Sequence, residues 1–327
     1  MKKMTSTKRI TMMIMLVLII FAAFFAADRY QPKKSYNLIF IPKVIDKNTD
    51  FWIALTEGAR MAAEEYGVEL TIVGGDSEED IKKQNELIEW AIKENPDAIL
   101  VTPCSFSETT VYLQKVLDAK IQLSLIDSEI DKDLGINLVA TDNYLAGEAL
   151  GSFARTLFDG EEPVIGIVGH VKGASTAMQR EEGVRAGLGS YNANVAEVVF
   201  CDSSYKKAYD LTKQMVEDYP NMNLIVGLNE YSAVGAARVV KDLHLTEQIK
   251  LVGFDSSLEE IKLMEEGVFQ GIVIQKPFNM GYQGVEQAIM RLNGKKVEPY
   301  LDSGCKLITP ENLYEEENQK LLFPFVK

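Results

Sequence analysis

From Tyr36 onward, short apolar runs rich in β-branched residues alternate with longer stretches of helical period, the pattern of repeated βα units and a parallel sheet. The runs predict strands at 37–41, 69–73, 98–102 and 123–126, and a second series at 164–168, 197–200, 224–227, 250–254 and 271–275. Helices fit between them. One would be capped by Ser77, with Ile81, Leu87, Ile88, Ala91 and Ile92 at core spacing and Asn95-Pro96 as its stop. Others start near Phe51, Thr109, Asn143, Ala177, Lys207, Tyr231, Ser257 and Asn279. Two series of about five strands exceed the usual size of a single domain and point to two similar α/β lobes.

The first residues break this pattern. Lys2, Lys3, Lys8 and Arg9 precede an uncharged stretch at 10–27, which as a helix would approach the thickness of a bilayer's hydrocarbon core. Basic residues before the stretch favour a cytoplasmic residues 1–9 and an exported remainder. A cleaved signal would want small residues where Phe24 or Phe25 stands, and no cysteine precedes Cys104 to take a lipid. The expectation is therefore a retained transmembrane anchor or uncleaved signal, with the protein on the outer face of the cytoplasmic membrane; cleavage would leave it secreted or periplasmic.

Composition then removes function classes. The chain of 327 residues is 46% hydrophobic, which supplies a sizeable core. Its formal net charge of −14, with basic residues concentrated before residue 35, argues against a nucleic-acid partner. Cys104, Cys201 and Cys305 are too widely spaced for a disulfide framework or a Cys-x-x-Cys site, and read as small buried residues. His170 and His244 have no ligating partner at zinc spacing, so no metal or cofactor is expected. No nucleophile elbow and no phosphate-binding P-loop occurs, and Gly166, Gly169 and Gly173 do not form a dinucleotide fingerprint. Asp127 and Asp255 both end strands but in different series, so glycosidase-like carboxylate pairing has no support. The chain is not expected to be an enzyme.

What remains is a set of polar and aromatic residues at the carboxyl ends of the strands, the edge at which open α/β sheets bind ligands. Asn48-Thr49-Asp50-Phe51-Trp52 opens the first helix; Asp127 follows Leu125-Ile126; Ala140-Thr141-Asp142-Asn143 precedes a helix. Arg180 stands in Arg-Glu-Glu-Gly-Val, Asn229 after Ile225-Val226-Gly227-Leu228, Asp255 after Val252-Gly253-Phe254, and Gln275 before Lys276-Pro277. In order and context these segments resemble the ribose-binding branch of the type I periplasmic-binding family, from about Tyr36 to Gly294. The resemblance implies two doubly wound parallel-sheet lobes, 36–141 with 276–303 and 142–275 with 304–327, joined by a three-strand hinge near Thr141, Gln275 and Ser303. It implies a ligand site of Lys43, Phe51, Trp52, Asp127, Asn143, Arg180, Asn229, Asp255 and Gln275. Aromatic rings would stack on the apolar face of a sugar, while carboxylates, amides and a guanidinium would meet its hydroxyls. Phe51 and Trp52 are adjacent on a helix and diverge, so one ring can be core. Asp142 fits a helix cap as well as a ligand contact.

Three departures blur the specificity. Ser128 stands where the ribose-binding pattern has an arginine, Ser203 where it has an aromatic, and Lys43 where it has a small polar residue. The departures admit a different pentose or hexose, another polyhydroxy molecule, or an autoinducer-like furanosyl ligand. The expected role is capture of a monosaccharide for an ABC-type importer, with ABC permease subunits as partners. The alternative is an anchored sugar-sensing subunit that signals to a sensor histidine kinase. A repressor would need a basic helix-turn-helix where this chain has an apolar stretch, and a sugar-acting hydrolase is a remote third.

Overall fold

The computed structural model describes Met15 and residues 35–322. Twelve strands among them form two six-stranded sheets. The first orders β2 (Glu69–Ile72), β1 (Asn37–Ile41), β3 (Ala98–Val101), β4 (Gln122–Ile126), β5 (Asn137–Ala140) and β11 (Tyr300–Asp302), all parallel. The second orders β7 (Val195–Phe200), β6 (Ile165–Gly169), β8 (Leu224–Gly227), β9 (Lys250–Phe254), β10 (Phe269–Gln275) and β12 (Cys305–Ile308), with β12 alone antiparallel. The central strands β3 and β8 are buried at every residue, because helices cover both faces of each sheet. Around the first sheet lie α1 (Asp50–Tyr66), α2 (Ile81–Glu94) and α3 (Thr110–Asp118). Around the second lie α4 (Asn143–Thr156), α5 (Ser175–Leu188), α6 (Tyr205–Asp218), α7 (Glu230–Asp242) and α8 (Leu258–Glu265). Helix α9 (Pro277–Leu292) returns to the first sheet, and α10 (Glu316–Leu322) ends the second lobe.

The chain passes between the sheets three times: from β5 to α4, from β10 to α9, and from β11 to β12. The first and third passages run side by side. Ser303 donates its backbone N–H to Ala140 at 2.8 Å, and the hydroxyls of Thr141 and Ser303 lie 3.3 Å apart. Pro277 opens α9 at its first turn, where the missing N–H is no loss.

Several local expectations are corrected. Asp80, not Ser77, caps α2, its carboxylate accepting from the Lys83 N–H at 2.9 Å. Strands β5, β11 and β12 were not expected; β11 and β12 end their sheets, and their partly exposed residues show neither an apolar run nor an alternation. The stretch at 10–27, read as an anchor, lies outside the described residues except for Met15. Among the described residues no helix is long and apolar enough to cross a membrane.

Each lobe is stiffened by a pair of helices brought together through glycine. On α4 and α5, Gly147 and Gly151 face Gly183 and Gly187, and a Cβ added at Gly183 would stand 2.1 Å from the Tyr144 carbonyl oxygen. On α1 and α9, a Cβ at Gly58 or Gly281 would meet backbone oxygen at 2.0 or 1.9 Å. No side-chain rotation relieves a clash with backbone, so the helices must separate. Gly183→Ala is therefore expected to lower unfolding stability by about 2–3 kcal/mol, read as a shifted urea midpoint; a midpoint equal to wild type would contradict this packing.

Candidate functional site

Asp127 follows β4 and Asp255 follows β9, and both adopt left-handed backbone, with φ of 68° and 78°. That conformation is unfavourable for a side chain other than glycine's, and is held here by the residues around it. It sets both carboxyls at the edge where the two sheets face each other. Between the sheets lies a narrow cleft, partly open to solvent, which both aspartates line.

Each charged group in the cleft is partnered within its own lobe. On the first lobe, Lys43 Nζ lies 2.9 Å from Asp127 Oδ2, with both side chains 4% exposed, and the Ser128 hydroxyl donates to the same oxygen at 2.6 Å. The Lys43 ammonium also stands 5.9 Å from the Trp52 ring centroid. On the second lobe, Asp255 Oδ2 accepts the Glu230 N–H at 2.9 Å, and Oδ1 accepts from Gln275 Nε2 at 2.6 Å. Arg180 donates through Nε to Asn143 Oδ1 and through Nη1 to the Leu228 carbonyl, both at 2.8 Å, and its guanidinium stacks on the Phe254 ring. Asn229 caps α7 by accepting from the Ser232 N–H at 3.0 Å.

Contacts across the cleft are fewer. Tyr231 donates to Asp46 Oδ2 at 2.7 Å and lies 2.7 Å from the Thr49 hydroxyl. Glu78, on the first lobe, accepts from Trp52 Nε1 at 2.7 Å and from the Ser203 hydroxyl of the second lobe at 2.8 Å. Burial pushes the Glu78 carboxyl above its ordinary range, partly opposed by the Lys43 charge. His170 Nε2 pairs with the Thr176 hydroxyl at 2.9 Å; burial, with the charges of Arg180 and Lys43, holds this imidazole neutral, well below its ordinary range.

Eight of the nine expected site residues line this cleft: Lys43, Phe51, Trp52, Asp127, Arg180, Asn229, Asp255 and Gln275. Asn143 does not. It is buried beneath Arg180, donating to the Thr141 carbonyl at 3.0 Å while accepting from the guanidinium, so it positions the arginine. Asp142 caps α4, accepting from the Leu145 N–H at 2.9 Å. Trp52 is 3% exposed and belongs to the first lobe's core, whereas Phe51 is half-buried, at 5.0 Å centroid distance edge-on to Trp52. Sequence reasoning missed Thr49, Glu78, His170, Thr176, Glu230 and Tyr231 as lining residues. Glu230 directly follows Asn229 at a strand's carboxyl end, which was the signal available for it. A wider groove beside Phe51 shares Asp255 and Gln275 but is walled mainly by apolar residues of α1, α9 and α10, and lacks this convergence of polar groups. No group of acidic, histidine or cysteine side chains among the described residues is arranged to hold a metal ion.

A family model described as periplasmic binding protein domain matches residues 39–296. The chain is similar to the ribose import binding protein RbsB of Haemophilus influenzae, at 26% identity over 260 residues, covering 79% of this chain and 87% of that one. Among solved structures, it is similar to a sugar transporter from Clostridium phytofermentans, at 45% identity and a TM-score of 0.80, covering 84% of this chain and 99% of that one. A solute binding protein of an ABC transporter from Agrobacterium vitis with bound D-fucose is 26% identical, with a TM-score of 0.80, covering 88% and 99%. These relatives are binding proteins, not enzymes.

The Lys43–Asp127 pair gives a test that needs no ligand. Lys43→Met leaves a buried carboxylate without its counter-charge and should cost roughly 3–5 kcal/mol, whereas the double variant Lys43→Met with Asp127→Asn should recover most of it. Urea unfolding of the three proteins decides this; a single variant as stable as wild type would show that the pair is not buried as described.

Proposed function

Because the chain belongs to the periplasmic binding protein family, we propose that it is an extracytoplasmic solute-binding protein that captures a monosaccharide between two closing lobes and delivers it to an ABC-type importer. The observation that carries this reading is the convergence of Asp127 from one sheet with Arg180, Asn229 and Asp255 from the other, beside the Phe51 and Trp52 rings, on a single cleft. A sugar presents hydroxyls on its rim and C–H groups on its faces. Buried hydroxyls without partners would cost about 1–3 kcal/mol each, so a sugar site needs many fixed polar groups, and an aromatic plane suits its face. The names of the relatives, ribose import and bound D-fucose, agree with that chemistry.

In a second reading the same captured sugar is presented to a membrane sensor kinase by an anchored receptor. It is favoured by the uncharged stretch at 10–27 and the lack of a cysteine before Cys104, features that would tether the protein without a lipid. Both readings share the sugar site.

A thermal-shift and calorimetric screen of D-ribose, D-allose, D-arabinose and D-fucose tests the shared part. A sugar present at about 100 times its dissociation constant should stabilise the protein by roughly 2.7 kcal/mol; no shift with any monosaccharide, and a shift with an amino acid, would defeat the reading. Asp255→Ala should weaken binding by about 100-fold or more, since two hydrogen bonds to a charged group are lost, while the protein stays folded. Unchanged affinity in that variant would remove Asp255 from the site.

A further inference from the structure

Glu230 is the first residue of α7, 2% exposed, and lines the cleft. Its Oε1 accepts from the Tyr205 hydroxyl at 2.6 Å, and its Oε2 is buried with no hydrogen-bond partner. We propose that Glu230 is a specificity-determining residue of the cleft, whose Oε2 donates a hydrogen bond to an acceptor oxygen of the bound solute. The proposal rests on the sugar-binding reading above and adds to it a neutral carboxyl donor.

The surroundings of Glu230 supply the reason for a proton on Oε2. It is faced by Tyr205 from α6, Asp255 after β9, Glu260 from α8 and, across the cleft, Asp50 from α1. The nearest cation on its own helix, Arg238, is committed to Glu259 and stacks on the Tyr205 ring. No ion pair to Glu230 exists among the described residues. Burial, reinforced by repulsion from Asp255 and Asp50 and opposed by hydrogen bonding from the Tyr205 hydroxyl and, across the cleft, the Phe51 backbone N–H, pushes the carboxyl up to about 8. At neutral pH the group is then an acid whose Oε1 accepts from tyrosine and whose Oε2–H lacks an acceptor. A buried donor left in that state is unfavourable, and a sugar hydroxyl or ring oxygen removes the penalty.

The pH dependence follows in sign. If the solute binds the protonated form, affinity is level below the folded value and falls above it, about tenfold per pH unit, with proton uptake on binding. Titration calorimetry of the full chain with D-ribose and D-allose, at several pH values between about 6 and 10 and in buffers of different ionisation enthalpy, reads both. Glu230→Gln, whose amide nitrogen supplies a donor in the same place, should bind within about threefold of wild type at neutral pH and lose the slope and the proton uptake. Glu230→Ala should bind at least roughly tenfold more weakly, with an unchanged far-ultraviolet spectrum. Wild-type affinity in Glu230→Ala, or a slope that persists in Glu230→Gln, overturns the proposal and leaves the sugar reading standing. No binding heat with either sugar in the wild-type protein overturns this inference together with the choice of sugars on which it rests.

Discussion

Polar groups at the edges of two sheets can be buried against each other only if each has a partner, and the rest of this structure follows from how that requirement is met. Asp127 is paired to Lys43 within the first lobe. Asp255 is held by Glu230 N–H and Gln275, and Arg180 by Asn143 and Leu228, all within the second. What bridges the lobes is hydroxyl chemistry, Tyr231 to Asp46 and Ser203 to Glu78, together with the Gln179 amide to Glu129 and the backbone N–H groups of Phe106 and Leu258, and among the described residues no ion pair. Hydroxyls exchange protein for water at little net cost, whereas a charge stripped of its partner does not. The lobes can therefore part without stranding a charge, and can close on a solute with their ionic groups already oriented.

Rigidity and freedom are distributed accordingly. The glycine-paired helices α4 and α5, and α1 and α9, pack backbone against backbone within each lobe. The three passages between sheets are short, and two of them are tied together by Ser303. Motion about such passages is a hinge of a few backbone dihedrals. Gln275 sits at the end of β10, directly before one passage, and bonds Asp255. In the proposed capture, this hydrogen bond between the passage and the cleft would couple closure to the state of the site.

The two-sheet architecture was legible because the central strands are buried on both faces and read as unbroken apolar runs, as in Ala98–Val101 and Leu224–Gly227. Strands β5, β11 and β12 escaped, since β11 is only Tyr-Leu-Asp with exposed ends and β12 pairs antiparallel at an edge; their placement is decided by the sheet they join. In the cleft, Asp127 and Asp255 were legible from their place after a strand, but Glu78 and Glu230 were not. Glu78 follows Ser77, read as a helix cap, and Glu230 stands at a helix start, so both read as partners of a helix dipole. Tertiary packing, from their own lobe and from the opposite one, takes water away from them, and nothing local in the sequence encodes it.

The central claim is that a solute is held by closing the two lobes upon it. Spin labels at Lys82→Cys on the lip of the first lobe and Lys206→Cys on the lip of the second, both strongly exposed, with the half-buried Cys305 replaced by serine, report the distance across the cleft by pulsed electron resonance. On addition of a sugar that binds, the distance distribution should narrow and lose its longer component. A distribution that stays unchanged at saturating sugar would contradict the account.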